Sequence, residues 1–138
     1  MTLVQPDEPR LPQTIRRLVG VYNADGSVRG ELTYFVGARL GRAHCSLCDI
    51  THGLVRERAE WRTRRASLPV PFDTYHRDDQ PAEVRAAHDD QLPVVLAETS
   101  NGYLVIVGPE ALSACAGSVS RLSETIDTAA SAAALTWP

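Results

Sequence analysis

The chain has 138 residues, of which 43% are hydrophobic and 22% are charged. This size and composition are typical of one globular domain, which buries roughly two-thirds of its surface and needs neither a metal nor a disulfide to fold. The net charge is -3 and all 14 basic residues are arginine. The chain therefore lacks the positive charge that non-specific binding to nucleic acid or to anionic membranes requires.

The first twelve residues contain three prolines and three charged residues. They lack the apolar core of a secretory signal peptide, and no apolar run approaches the roughly 20 residues of a membrane span. We therefore predict a flexible leader over residues 1–12, a single domain over residues 13–138, and a cytoplasmic location.

The first half of the domain begins with a short apolar run, Leu18–Tyr22, that is typical of a buried strand. A turn follows at Asn23–Gly26, and apolar residues at helical spacing then predict a helix over Val28–Leu40. Helical spacing resumes after this segment, so we expect a short helix that starts near Cys45 and is interrupted at Gly53.

A solvated helix with one apolar seam is predicted over Leu54–Leu68, with Trp61 as its packing anchor. A short strand over Val70–Thr74 follows. The next helix is expected to begin near Pro81, with Asp79 as its N-terminal cap. Five arginines are predicted to lie on the solvated surface of the first of these helices: Arg56, Arg58, Arg62, Arg64 and Arg65.

The second half of the domain contains a strand pair followed by helices. Leu92–Glu98 is a strongly β-type run, and the Asn-Gly step in Thr99–Gly102 predicts a hairpin that returns as Tyr103–Val107. Helices are expected over Pro109–Ala116 and from Ser118 to about residue 134. The apolar side of the last helix carries Val119, Leu122, Ile126 and Ala130.

The predicted order joins a βαβ half to a ββα half, which resembles the thioredoxin and glutaredoxin superfamily. Cys45-Ser46-Leu47-Cys48 is similar to the redox motif of that family, and Leu92-Pro93 to the cis-proline segment that precedes its third strand. The resemblance implies an α/β fold with a four-stranded mixed sheet flanked by helices. An extra helical segment lies between the first strand and the cysteine pair, displacing the pair from the usual position.

The cysteine pair carries the functional prediction. Two cysteines three residues apart in a first helical turn bring their sulfurs within bonding distance, and helix-terminal N–H groups stabilise a thiolate. We expect Cys45 to be the attacking thiolate and Cys48 the resolving thiol, with positive charge from Arg42 and His44 beside them. These features predict a small thiol–disulfide oxidoreductase or redox sensor that uses no cofactor. Its partners would be protein or small-molecule thiols and disulfides.

The resemblance also implies a role for the segment Leu92-Pro93. A cis-proline lacks an N–H group and leaves the neighbouring backbone free to hold a substrate peptide in extended form. On this basis Leu92 and Pro93 are expected to contribute to substrate binding.

A metal site is the alternative prediction. Cys45, Cys48 and His52 fall at i, i+3 and i+7 on one helical face, and two thiolates with an imidazole suit Zn(II) or Cu(I). His52 alone is expected to be a helix-end or hydrogen-bonding histidine. His76 and His88 are more distant candidate ligands, for which ordinary surface positions are predicted.

A further alternative is a non-enzymatic partner-binding module. In that case the strand at Tyr103 or the alanine-rich helix after Ser118 would join two copies of the chain. Asn23 and Asp25 are predicted to form a turn and a helix cap, although the end of a sheet is where α/β folds place their sites. Cys115 is expected to be a small buried residue.

Overall fold

The computed structural model describes residues 12–23, 45–52 and 58–138. These residues form a mixed α/β structure. Its elements, in chain order, are β1 (Gln13–Thr14), β2 (Arg17–Val21), α1 (Ser46–Thr51), α2 (Ala59–Ser67), β3 (Phe72–Tyr75), α3 (Ala82–His88), β4 (Val94–Thr99), β5 (Gly102–Val107), α4 (Pro109–Ala114), α5 (Val119–Ala132) and β6 (Leu135–Thr136).

The main sheet has four strands in the order β3-β2-β4-β5. Strand β2 is parallel to β3 and antiparallel to β4, which in turn is antiparallel to β5. The four predicted strands and the mixed character of the sheet are thus confirmed. A second sheet, in which β1 and β6 pair in parallel, was not predicted, because two-residue strands carry no periodicity.

Strand β2 is covered on both faces, as its continuous apolar run predicts. Leu18 belongs to the larger core cluster, which it shares with residues of α1, α2, α4 and α5. Val19 and Val21 point to the opposite face, where they pack in a smaller cluster with Val84 of α3 and Leu96 of β4. The core therefore lies in two layers, one on each side of the sheet.

Two helices pack as their apolar patterns predict. Trp61 of α2 is only 2% exposed, and its ring meets that of Phe72 edge to face at a centroid distance of 4.8 Å. Helix α5 is capped by Ser118, whose hydroxyl accepts the Arg121 N–H at 3.2 Å. Its four predicted core positions are all buried: Val119, Leu122, Ile126 and Ala130.

The Asn-Gly hairpin is confirmed. Thr99 pairs with Gly102 at the end of the β4–β5 ladder, and Gly102 has a φ of 109°, a conformation that glycine tolerates best. The Thr99 hydroxyl accepts the Asn101 N–H at 3.1 Å and fixes the turn. Leu104 on β5 is 36% exposed, but the joining of two copies through this strand or α5 stays a prediction.

A polar network around Arg17 borders the smaller core cluster, against which Tyr75 and Tyr103 pack. The Arg17 guanidinium donates to Glu98 at 2.8 Å, to Asp73 at 3.0 Å, and to the hydroxyls of Tyr75 and Tyr103 at 3.1 and 2.7 Å. Burial alone would lower the pKa of Arg17, but these four hydrogen bonds raise it, so the group stays charged. The network links the first residue of β2 to β3 and to both strands of the hairpin.

The predicted cap of α3 is wrong. The helix begins after Pro81 with no side-chain cap, and Asp79 instead accepts the His76 N–H at 2.6 Å and contacts the His76 ring at 3.2 Å. The carboxylate finds its partner three residues earlier, within the preceding turn. A short polar side chain commonly closes a turn in this way.

The surface position predicted for His88 is also wrong, since its residue is only 4% exposed. His88 lies one helical turn after Val84 on the face of α3 that covers the sheet, where both are buried. Its Nδ1 accepts the Asp90 N–H at 3.1 Å, and its Nε2 is hydrogen-bonded to Gln80. The chain thus satisfies both ring nitrogens of a buried, neutral histidine.

Several predictions lie outside the described residues. They concern the leader over residues 1–11, the helix over Val28–Leu40, and the placement of Asp25, Arg42 and His44. Within the described ranges, no helix has the length and apolar character needed to cross a bilayer.

The environment of His88 predicts a pH dependence of stability. Burial lowers the pKa of His88 below its ordinary 6.5, and Arg85 adds to the effect while Asp90 and Asp89 oppose it. The unfolded chain therefore binds the proton first as pH falls. The stability contributed by neutral His88 is present above about pH 6.5 and is lost as pH falls through the lowered pKa.

We expect His88→Gln to be less stable than the wild type near neutral pH, with a gap that narrows below pH 6.5. Denaturant unfolding at a series of pH values measures this gap. Val84→Ala, which removes packing from the same buried face of α3 but no imidazole, is the control, and its gap should not narrow. Parallel pH curves for the wild type and His88→Gln would show that this imidazole is not linked to folding.

Candidate functional site

The cysteine pair lies at the carboxyl end of the central strand β2. Cys45 is the N-cap of α1, and its Sγ accepts the Cys48 N–H at 3.4 Å. The same sulfur also receives a backbone hydrogen bond from Asn23, two residues past the end of β2. One sulfur atom thus joins the start of α1 to the end of the strand.

Helix α1 approaches the sheet closely because residue 20 is glycine. A Cβ at Gly20 would lie 3.0 Å from Cε1 of Phe72 and 3.1 Å from Cδ2 of Leu47. Both distances are shorter than ordinary van der Waals contact. Leu47 is fully buried between the two cysteines, so this close packing fixes the height of the pair above the sheet.

The two thiols have opposite electrostatic surroundings. The pKa of Cys45 is lowered, first by the hydrogen bond from the Cys48 side chain and then by the backbone N–H groups of Asn23 and Cys48, against burial and the charge of Asp49. The pKa of Cys48 is raised, first because its proton is held by Cys45 and then because the partial burial of its side chain disfavours the charged form. The arrangement favours a thiolate on Cys45 and a neutral thiol on Cys48.

Access to the pair differs from the sequence expectation. Cys45 has no exposed surface, whereas Cys48 is partly exposed. An attacking thiolate has to be accessible to its substrate, and within the pair only Cys48 has exposed surface in this structure. The cause is the position of Cys45 as the N-cap, where it lies in the same core cluster as Leu47 and Ile50.

Tyr22 brings a phenol hydroxyl to the site. From the sequence it was expected only as the last residue of a buried strand. Its hydroxyl is hydrogen-bonded to Thr51 Oγ1 at 2.9 Å, and Thr51 Oγ1 is 2.7 Å from Nδ1 of His52. Burial raises the pKa of Tyr22 to about 12, and the neighbouring Cys48 and Cys45 contribute. The phenol therefore stays protonated beside the sulfurs. Its position at the carboxyl end of a central strand was the available signal.

Two histidine rings flank Tyr22. The centroid of the His52 ring is 5.6 Å away, and that of His76, which follows β3, is 5.4 Å away. His52 is the C-cap of α1, in agreement with its predicted helix-end position. The carboxyl ends of the parallel strands β2 and β3 thus bring together thiol, phenol and imidazole groups.

The three proposed metal ligands do not share a helical face in this structure. Helix α1 ends at Thr51, and His52 has extended backbone with a φ of -124° and a ψ of 147°. The i, i+7 relation between Cys45 and His52 therefore does not apply. In the part of the chain that the structure describes, no three His, Cys, Asp or Glu residues are grouped so that they could hold a metal ion.

Pro93 lies at the same end of the sheet as the cysteine pair. The Leu92–Pro93 peptide bond is cis, and Pro93 is buried immediately before β4. Because Val94 pairs with Val21 in the antiparallel ladder, Pro93 falls beside the chain as it leaves β2. Leu92 is partly buried and packs against the smaller core cluster.

Cys115 has the surroundings that the sequence predicts, whereas Arg58 does not. Cys115 is buried, as expected, and its Sγ donates to Ala111 O at 3.4 Å. Arg58 was expected on a solvated surface, but its guanidinium donates to Gly117 O at 2.6 Å. The sequence did not predict this contact, because a run of charged residues usually indicates a surface exposed to solvent.

Comparisons with known proteins gave no match: none among protein-family models, none among curated proteins and none among solved structures.

The close approach at Gly20 makes the first prediction for the site. Gly20→Val should reduce the free energy of unfolding by about 1–3 kcal/mol, the usual cost of overfilling a packed core. Gly108→Ala is the steric control, since a Cβ there meets nothing within 4 Å. Denaturant unfolding measures both, and equal stability of the two variants would contradict the assigned packing.

The shared hydrogen bond makes the second prediction. Cys48→Ala removes the largest contribution to the lowered pKa of Cys45, so the Cys45 thiolate should form only at higher pH. Ultraviolet thiolate absorbance followed against pH measures the transition. Cys115→Ala is the control and should leave it in place. An unchanged Cys45 transition in Cys48→Ala would show that the two side chains do not share a proton.

Proposed function

We propose that Cys45 and Cys48 form a redox couple that cycles between dithiol and disulfide, making the protein a small thiol–disulfide oxidoreductase or redox sensor. The proposal is supported chiefly by one observation, the Cys45 sulfur that accepts hydrogen bonds from Cys48 and from the backbone after β2. A thiolate is the reactive form of cysteine. These hydrogen bonds stabilise that form on one defined sulfur.

The exchange proceeds in two balanced steps. The Cys45 thiolate attacks one sulfur of a substrate disulfide, forming a mixed disulfide and releasing the other sulfur as a thiolate. Cys48 then loses its proton to solvent or to the released thiolate and attacks Cys45 Sγ. This step forms the Cys45–Cys48 disulfide and frees the second substrate thiol. The substrate disulfide is reduced by two electrons and the protein dithiol is oxidised by two.

The enclosure of Cys45 bears on the order of these steps. Since Cys45 has no exposed surface and Cys48 is partly exposed, a disulfide substrate meets the Cys48 side of the pair first. Attack by Cys45 then requires local opening at the start of α1. The short length of α1, six residues, makes such opening easier than in a long helix.

We further propose kinship with the thioredoxin and glutaredoxin superfamily. The strand order β3-β2-β4-β5, with one parallel and two antiparallel strand pairs, supports it, as does the position of Pro93 immediately before β4. Leu92 and Pro93 would then bind the substrate backbone. A protein or small-molecule disulfide would be the partner, in a reducing compartment such as the cytoplasm.

Thiol counting tests the proposal. The three cysteines are thiols in this structure, so the reduced protein, denatured to expose the buried Cys45 and Cys115, should react with three equivalents of a thiol reagent. After mild oxidation it should react with one, because Cys45 and Cys48 have paired. Cys115→Ser should form the same disulfide, and Cys48→Ser should accumulate a mixed disulfide on Cys45.

Two outcomes would overturn the proposal. The first is a failure of the folded protein to form an intramolecular disulfide under oxidant. The second is stoichiometric Zn(II) or Cu(I) in protein purified without chelator and its loss in Cys48→Ser, which would favour the metal-binding alternative.

A further inference from the structure

Among the residues that the structure describes, one arginine donates to most of the carbonyls at the C-terminal end of helix α1. The last four carbonyls of a helix have no partner within the helix. In α1 these belong to Cys48, Asp49, Ile50 and Thr51. The His52 N–H donates to Cys48 O at 2.8 Å, which leaves three carbonyls for other donors.

Arg58 supplies all three. Its backbone N–H donates to Thr51 O at 2.8 Å. Its Nη1 donates to Ile50 O at 3.2 Å and, at the longer distance of 3.4 Å, to Asp49 O. Arg58 is itself the N-cap of α2. The same residue therefore binds the C-terminal carbonyls of α1 and starts α2.

The same Nη1 also contacts the loop that joins α4 to α5. It donates to Gly117 O at 2.6 Å, in the loop between α4 and α5. Gly117 has a φ of 76°, and a Cβ there would lie 3.9 Å from Asp49 O. The guanidinium therefore clamps the C-terminal turn of α1 against the α4–α5 loop. Its charge also complements the negative end of the helix dipole, with Glu60 as an exposed partner at 3.4 Å.

We propose that Arg58 is a positioning residue for the dithiol, an inference that rests on the proposed redox function. A helix of six residues is not stable by itself, so the geometry between its ends depends on what holds them. Cys45 is held at the N-terminal end by Asn23 and Cys48, and Arg58 holds the C-terminal end. Loosening that end lets Cys48 move, which lengthens the hydrogen bonds that stabilise the Cys45 thiolate.

The test compares Arg58→Ala with Arg62→Ala. Both remove one arginine charge from the same part of the chain, but Arg62 is exposed. The first readout is the pH profile of Cys45 alkylation, measured with Cys115→Ser as the background. The second is the exchange rate of the Asp49 and His52 amides, whose bonds to Cys45 O and Cys48 O close the first and last turns of α1.

In Arg58→Ala the alkylation profile should shift to higher pH. The two amides should exchange about fivefold faster or more, the effect of losing one ordinary hydrogen bond. Arg62→Ala should match the background protein in both measurements. A lower melting temperature for Arg58→Ala with an unchanged alkylation profile would overturn the proposal, because a purely structural contact predicts that result.

Arg58→Gln is the second variant in case Arg58→Ala does not fold. It keeps an N–H donor on a shorter, uncharged side chain, so its profile should shift in the same direction by a smaller amount. An unchanged profile in this variant also overturns the proposal. Failure of the redox function itself would be seen in the background protein, Cys115→Ser. Its Cys45 would be alkylated with the pH profile of an ordinary thiol, and no Cys45–Cys48 disulfide would form.

Discussion

The candidate site depends on a single sulfur that accepts hydrogen bonds from two separate pieces of backbone. Asn23 belongs to the chain leaving β2, and Cys48 belongs to α1. They meet at Cys45 where Leu47 of α1 packs over Gly20, whose missing side chain leaves room for it. A larger residue at position 20 is expected to displace the helix and separate the two donors, so the hydrogen bonding of Cys45 is linked to a packing constraint in the central strand.

Burial and reactivity are in tension at this sulfur. Cys45 lies in the larger core cluster and has no exposed surface, whereas its donors Asn23 and Cys48 lie at the edge of that core, exposed and partly exposed. Burial by itself would favour the neutral thiol. The directed N–H and S–H donors outweigh it, while the side chain of Cys48 stays partly exposed. Under the proposed function, a substrate would reach the stabilised thiolate through motion of the helix that carries the pair.

The sequence predicted those parts of the structure that local patterns encode. The strand β2, the helix that follows Cys45, the Asn-Gly hairpin and the buried face of α5 all carry periodic or turn signals within a few residues. What it did not predict depends on contacts between distant segments. The pairing of β1 with β6 spans nearly the whole chain. The contact of Arg58 with Gly117 joins residues 59 positions apart, and the burial of His88 depends on which face of α3 covers the sheet.

The most direct measurement is an NMR titration of the amide groups of Asn23 and Cys48 in the reduced protein. If both donate to Cys45 Sγ, their proton shifts should move together as pH passes the thiolate transition, with one shared midpoint below the ordinary thiol range. Cys45→Ser should abolish both movements. Amide shifts that stay constant, or that move for Cys48 alone, would contradict the placement of this sulfur between helix and strand.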